Sequence, residues 1–230
     1  ASLGERFLRF RLAGHRRESE EEKILKALSN ISNRIEMRRA LVGAANQVLN
    51  RDKPTAPPVV NPDFLRRVVK LAQFTSIMRG VVDRDRFRDT VNYRPSHEVG
   101  TRLAMQLTKL GMGIAIYHEH ENLGEKEFTI MKKIALDTVP DRFQVIVKRM
   151  WTAGRPLRTL EVSELTRLPQ ATIFRLLQDM DLLQIVNRQS DGTKHIWTLH
   201  PKMRALIADG AIYESTKAEP PARALGGSKL

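Results

Sequence analysis

The chain has no cysteine, which excludes disulfides and thiolate-held metals and fits a cytoplasmic protein. It has no apolar run near the roughly 20 residues that a membrane-spanning helix needs, so no membrane partner is expected. Its first residues, Ala1 to Arg6, do not read as a signal peptide. It also lacks a Gly-x-x-x-x-Gly-Lys-Ser/Thr phosphate loop, so no cofactor is expected in the chain itself. Aromatic residues are scarce at 6%, but the apolar share of 41% is ordinary and points to a globular chain. Acidic residues are outnumbered 26 to 39 by lysine and arginine, leaving a formal charge of +13. Such an excess attracts polyanions, of which nucleic acid is the commonest. The excess is spread along the whole chain, so folding must gather it before it can act as a patch.

The residues present divide the chain into four parts: 1–62, 63–139, 140–212 and a tail, 213–230. From Phe7 to Leu12 apolar and basic residues alternate as in a short strand. A lone strand implies a sheet supplied by a longer protein. Glu18 to Asn50 has helical spacing, through Ile24, Leu25, Leu28, Ile31 and Ile35 and then Leu41, Val42, Ala45, Val48 and Leu49. The stretch Arg51 to Pro58 is a proline-rich linker. Helices are then expected from Pro62, capped by Asn61, to about Met78; from about Ser96 to Gly111; and from about Glu125 to Asp137. Between the first two lies a loop dense in aspartate and arginine. The tail from Lys217 is expected to be disordered.

The last folded part starts at Pro140. Phe143, Ile146, Val147, Met150 and Trp151 make one apolar stripe on a helix ended by Gly154 and Pro156. A short second helix, Glu161 to Thr166, turns Val162 and Leu165 inward, with Thr159 as its cap. After a tight turn at Arg167-Leu168-Pro169, a third helix runs from about Gln170 to Asp181, opened by the proline. Ile173, Leu176, Leu177 and Met180 form its apolar face, leaving Gln170, Thr172 and Arg175 outward. Leu183 to Gln189 and Lys194 to Leu199 read as two strands joined at Ser190-Asp191-Gly192-Thr193, with Asp-Gly the hairpin signal. Arg188 and Lys194 flank the tip. A short helix is expected after Met203, reaching Ala211.

Leu165 to Val186, centred on Leu-Pro-Gln-Ala-Thr-Ile-Phe-Arg-Leu-Leu-Gln-Asp-Met-Asp-Leu-Leu, resembles the winged helix-turn-helix family of bacterial and archaeal regulators. The shared pattern is a Thr-apolar-x-Arg-x-Leu recognition helix followed by an apolar strand into a wing. Gln184 departs from it, standing where the family usually has glycine. The resemblance implies a mainly α chain: a helical domain, then a winged helix-turn-helix domain with a small β-hairpin wing. It also implies double-stranded DNA as partner, with Gln170, Thr172 and Arg175 in the major groove and Arg188 and Lys194 on phosphates.

Further upstream, Leu3-Gly4-Glu5-Arg6-Phe7-Leu8 resembles the Leu-x-x-Arg-Phe-Asp pattern of AAA+ ATPases such as the minichromosome-maintenance helicases, although position 8 is leucine. That resemblance makes Arg6 a candidate arginine finger and Arg102 a candidate nucleotide-sensing lid arginine. It implies the C-terminal region of a replication or mobile-element ATPase, with ATP, magnesium and a homo-oligomer belonging to a longer parent. The competing readings are a free-standing transcriptional regulator and a protein-interaction module without DNA affinity.

Other chemistry has weaker support. His118-Glu119-His120-Glu121 reads as a helix end or loop rather than a metal site, and no metal is expected. Asp83, Arg84, Asp85, Arg86 and Asp89 read as a solvated ion-pair loop. Ser163 and Ser190 have no histidine and acid beside them to make a nucleophile. The chain is therefore expected not to be an enzyme by itself. A rigorously purified sample should show no ATP turnover in a phosphate-release assay, and turnover retained through further purification would refute this.

Overall fold

A computed structural model describes residues 8–11, 19–50, 56–85, 90–91, 99–191 and 194–213. Among these the chain is mainly helical, with one small antiparallel sheet. The order is α1 (Glu20–Ser29), α2 (Arg34–Leu49), α3 (Pro62–Met78), α4 (Thr101–Tyr117), α5 (Glu125–Asp137), α6 (Asp141–Ala153), β1 (Leu157–Arg158), α7 (Thr159–Thr166), α8 (Gln170–Leu182), β2 (Val186–Asp191), β3 (Lys194–Leu199) and α9 (Pro201–Asp209). The sheet order is β1-β3-β2. Among the described residues no helix is long and apolar enough to cross a membrane.

α3 is the central helix. Asn61 caps it by accepting the Asp63 N–H, and Pro62 opens it. Phe64, Val68, Leu71, Phe74 and Met78 are buried at helical spacing. They meet α4 and α5 along one side and α9 along another. Phe64 packs edge-on against Phe128 of α5, and Phe74 edge-on against Tyr213 just beyond α9. Arg67 pairs with Glu125 and lies 4.0 Å over the Phe128 ring. One buried cluster therefore runs from α3 through α6 and α8 to α9.

In several places tertiary contacts displace the boundaries expected from periodicity. Leu8 to Arg11 form no strand; the Arg11 N–H donates to Asp137 Oδ2 at 2.8 Å, and its guanidinium pairs with Asp141. Lys133 lies 4.8 Å over the Phe10 ring, so this segment straps the α5–α6 junction. α4 starts at Thr101 and continues past Gly111 to Tyr117, because Gly111 lies against the Met131 side chain, where a larger residue would not fit. α9 starts at Pro201, before Met203, with His200 accepting the Lys202 N–H.

The predicted strand from Leu183 also begins later. Leu183 caps α8, packed on Gly80, and Gln184 turns the chain at φ 57°, so β2 starts at Val186. Arg84, expected in solvent, is instead largely buried, with both Nε and Nη2 at 2.7 Å from Asp179 Oδ1 of α8. Most of the linker, the far end of the Asp/Arg loop, the Gly192-Thr193 turn and the tail from position 214 lie outside the described residues.

Gln184 holds a left-handed conformation that costs a side-chain-bearing residue about 1 kcal/mol or more. Its side chain is exposed, so Gln184→Gly should raise stability by about 0.5–1 kcal/mol, read as a higher denaturant midpoint. A lower midpoint would show that an interaction of the glutamine outweighs the backbone strain.

Candidate nucleic-acid interface

The candidate surface is built on the turn from β1 into α7. Arg158 is the N-cap of α7, and its N–H donates to Glu161 Oε2 at 2.7 Å. The other carboxylate oxygen of Glu161 takes Arg155 Nη2 at 2.7 Å. Thr159, read from sequence as the cap, is instead buried, with its hydroxyl accepting the Trp197 indole N–H at 2.9 Å. The indole is fully buried and needs that acceptor. Leu165 is 41% exposed rather than turned inward, because only Thr159 and Val162 of this short helix are buried.

The next turn aims α8. Arg167 is left-handed at φ 56°, the Leu168 N–H donates to the Ser163 carbonyl, and the Ser163 hydroxyl donates to the Leu168 carbonyl at 2.6 Å. Pro169 stands at the N-cap, one position before the helix. Ile173, Leu177 and Met180 are buried, while Leu176 is only partly so. Gln170 and Arg175 are exposed and Thr172 is half-buried. Arg188 is exposed on β2, in register with Trp197 on β3. The backbone of Lys194 opens β3, paired with Asp191. α8 packs on β2 over a common core, and Gln170, Arg175 and Arg188 are exposed on these elements. Arg6 lies outside the described residues, and Arg102 is exposed in the first turn of α4, in the helical half.

Two residues not singled out from sequence join this surface. An open groove of about 690 Å³ runs between the start of α8 and the sheet, lined by Arg158, Leu160, Gln170, Ala171, Phe174 and His195. Arg158 is exposed, and its charge also acts on the Glu161 carboxyl. The His195 ring stacks on Phe174 at 5.3 Å, and both meet Trp197 edge-on. β1 has only two residues, too few for periodicity to reveal, so Arg158 carried no positional signal in the sequence.

Three acidic groups nearby are engaged within the fold. Asp179 is held by Arg84, and Asp181 accepts the Arg188 backbone N–H at 3.2 Å. The N–H of Arg158 and the side chain of Arg155 hold the Glu161 carboxyl below the ordinary glutamate range. In the helical half, His118 stacks on His120 at 5.6 Å, because the chain leaves α4 there and Glu119 is left-handed. His120 Nδ1 lies 2.7 Å from Glu127 Oε1, and the other Glu127 oxygen takes the Gly124 N–H at 2.8 Å. This buried carboxylate caps α5; no group of three potential metal ligands occurs among the described residues.

No protein-family model, curated protein or solved structure matches this chain.

The Glu161 cap generates a pH signature. Its folded-state pKa is lowered, so its charge stabilises the fold above the ordinary glutamate pKa, and that contribution is lost as pH falls through the lower folded value. Glu161→Gln should therefore lower the melting temperature near neutral pH. The gap to the native chain should close only on the acid side of about pH 4. A gap independent of pH would assign the loss to shape rather than charge.

Proposed function

We propose that this chain is a duplex-DNA-binding module in which residues 140–212 act as a winged helix-turn-helix. The observation that carries the reading is the order α6-β1-α7-α8-β2-β3 with sheet order β1-β3-β2. It sets a solvent-facing polar helix, α8, beside a hairpin with an exposed cation. In this reading α8 enters the major groove with Gln170, Thr172 and Arg175, and Arg188 and Lys194 at the hairpin follow the phosphates. The +13 charge supports a polyanionic partner, and the pairing of Asp179 with Arg84 lessens acidic repulsion at that face. The likeness of Arg6 and Arg102 to nucleotide-contacting arginines supports placing the module in a larger replication or mobile-element AAA+ ATPase.

The two parts of the interface should separate in a titration against a preferred and a scrambled duplex at several salt concentrations. Arg175→Ala should cost about 1–3 kcal/mol on the preferred duplex and less on the scrambled one, as for an arginine that reads a guanine edge. Arg188→Ala combined with Lys194→Ala should weaken both duplexes alike and flatten the log–log salt slope by about 2 units. Equal losses on both duplexes from Arg175→Ala would make it a phosphate contact. Binding by the native chain that ignores salt, or no loss from either variant, would favour a protein-interaction module.

A further inference from the structure

The groove between the start of α8 and the sheet has a chemically mixed lining. Its volume of about 690 Å³ falls within the roughly 300–1,000 Å³ of sites that hold small molecules. One wall is aromatic. His195 and Trp197 stand two residues apart on β3, so their side chains share a face of the sheet. The His195 ring stacks on Phe174 of α8 with 21° between the planes, and both rings meet Trp197. Trp197 is sealed within the fold: it is fully buried, and Thr159 takes its N–H. His195 and Phe174 are only partly buried, and both line the groove. Yet His195 Nδ1 is shielded from solvent and has no hydrogen-bond partner among the described residues. A shielded nitrogen without a partner is costly, so an occupant that satisfies it gains affinity.

The rest of the lining selects charge. The exposed Arg158 supplies a guanidinium. Gln170 and Ala171 open α8 in the same groove, after Pro169, which gives the helix no side-chain cap. The N–H groups of an uncapped first turn attract an anion, as the guanidinium does. A second groove of about 380 Å³ shares Arg158 and continues to Arg155 and Ile196. The nearest acid, Glu161, lines only this second groove, where Arg155 pairs with it. An occupant that meets every wall of the first groove is flat, has polar atoms on its ring and bears an anionic group. A nucleotide with an unpaired base has all three properties, whereas the bases of a duplex are stacked on one another and paired. We propose that this groove takes one unpaired nucleotide, its base against the His195–Phe174 wall and its phosphate on Arg158. The proposal rests on the DNA-binding reading and extends it, because Gln170 belongs both to the groove and to the part of α8 assigned to the duplex.

The test titrates the full chain, by fluorescence anisotropy, against three labelled probes of one sequence. These are a blunt duplex, the same duplex with a short thymidine overhang, and the same duplex with an overhang of abasic sugar-phosphates. The native chain should bind the thymidine overhang about fivefold or more tighter than the blunt duplex, the gain a stacked base supplies. The abasic overhang brings the same phosphates and should gain less. Arg158→Ala, Phe174→Leu and His195→Leu should each shrink the ratio of thymidine-overhang to blunt-duplex affinity. The Arg158 side chain is exposed, so that variant should keep the native melting transition and separate lost contact from lost fold. Equal affinity for the thymidine and abasic overhangs overturns the proposal, as does a ratio that all three variants retain. A blunt duplex bound with no gain from an overhang removes the groove and leaves the duplex reading standing. An overhang bound where the blunt duplex is not keeps the groove and removes the duplex reading. Thymidine monophosphate added as competitor tells the two sources of the nucleotide apart: displacement at comparable concentration assigns the free nucleotide, and persistence of the complex assigns the strand.

Discussion

The sheet and the helices that carry the candidate interface depend on one buried indole. Trp197 is fully buried on β3, where its backbone pairs with Leu157 of β1 on one side and Arg188 of β2 on the other. Its N–H is satisfied by Thr159 at the start of α7, and its ring meets Phe174 of α8. Three strands and two helices are thus indexed to one side chain. A buried indole without an acceptor would lose about 1–3 kcal/mol, which explains why Thr159 serves the core and leaves helix capping to Glu161. The orientation of α8 relative to the hairpin follows from that arrangement.

A second set of contacts joins this unit to the helical half. Leu183 sits on Gly80, Arg84 reaches Asp179, Lys70 meets Asp209 at 3.2 Å, and Tyr213 packs on Phe74. The first two fix the C-terminal end of α8 and the last two fix α9. The Arg84–Asp179 pair has side chains 11% and 18% exposed, so the loss of either partner would strand a poorly hydrated charge. This ties α8 to the turn that follows α3.

Where local signals are strong, the sequence was legible. The cap and proline at Asn61-Pro62, the spans expected for α3 and α5, the 3.6-residue stripe of α6, and the glycine stop at Gly154 lie where the sequence places them. The terminus of α8, the start of β2 and the role of Thr159 were not legible, because each is decided by a partner far along the chain. Alternation at Phe7 to Leu12 mimicked a strand, but from Leu8 to Arg11 it positions side chains over α5 and α6. Arg84 looked like one charge among many until the fold brought Asp179 to it. Among the candidate site residues, the outward faces of Gln170 and Arg175 could be read from the helical period alone. Arg158 and His195 could not, since their place depends on how β1 pairs with β3.

The net charge gains meaning once pairing is considered. Glu125 is matched by Arg67, Asp141 by Arg11, Asp209 by Lys70, Asp179 by Arg84 and Glu161 by Arg155. These pairs consume carboxylates within the core domain, and several join elements far apart in sequence. Each such pair takes a base as well as an acid, so pairing leaves the positive excess unchanged, to be carried by the cations left over. The helices α1 and α2 behave differently: acids and bases are mixed along each, and their apolar residues face water.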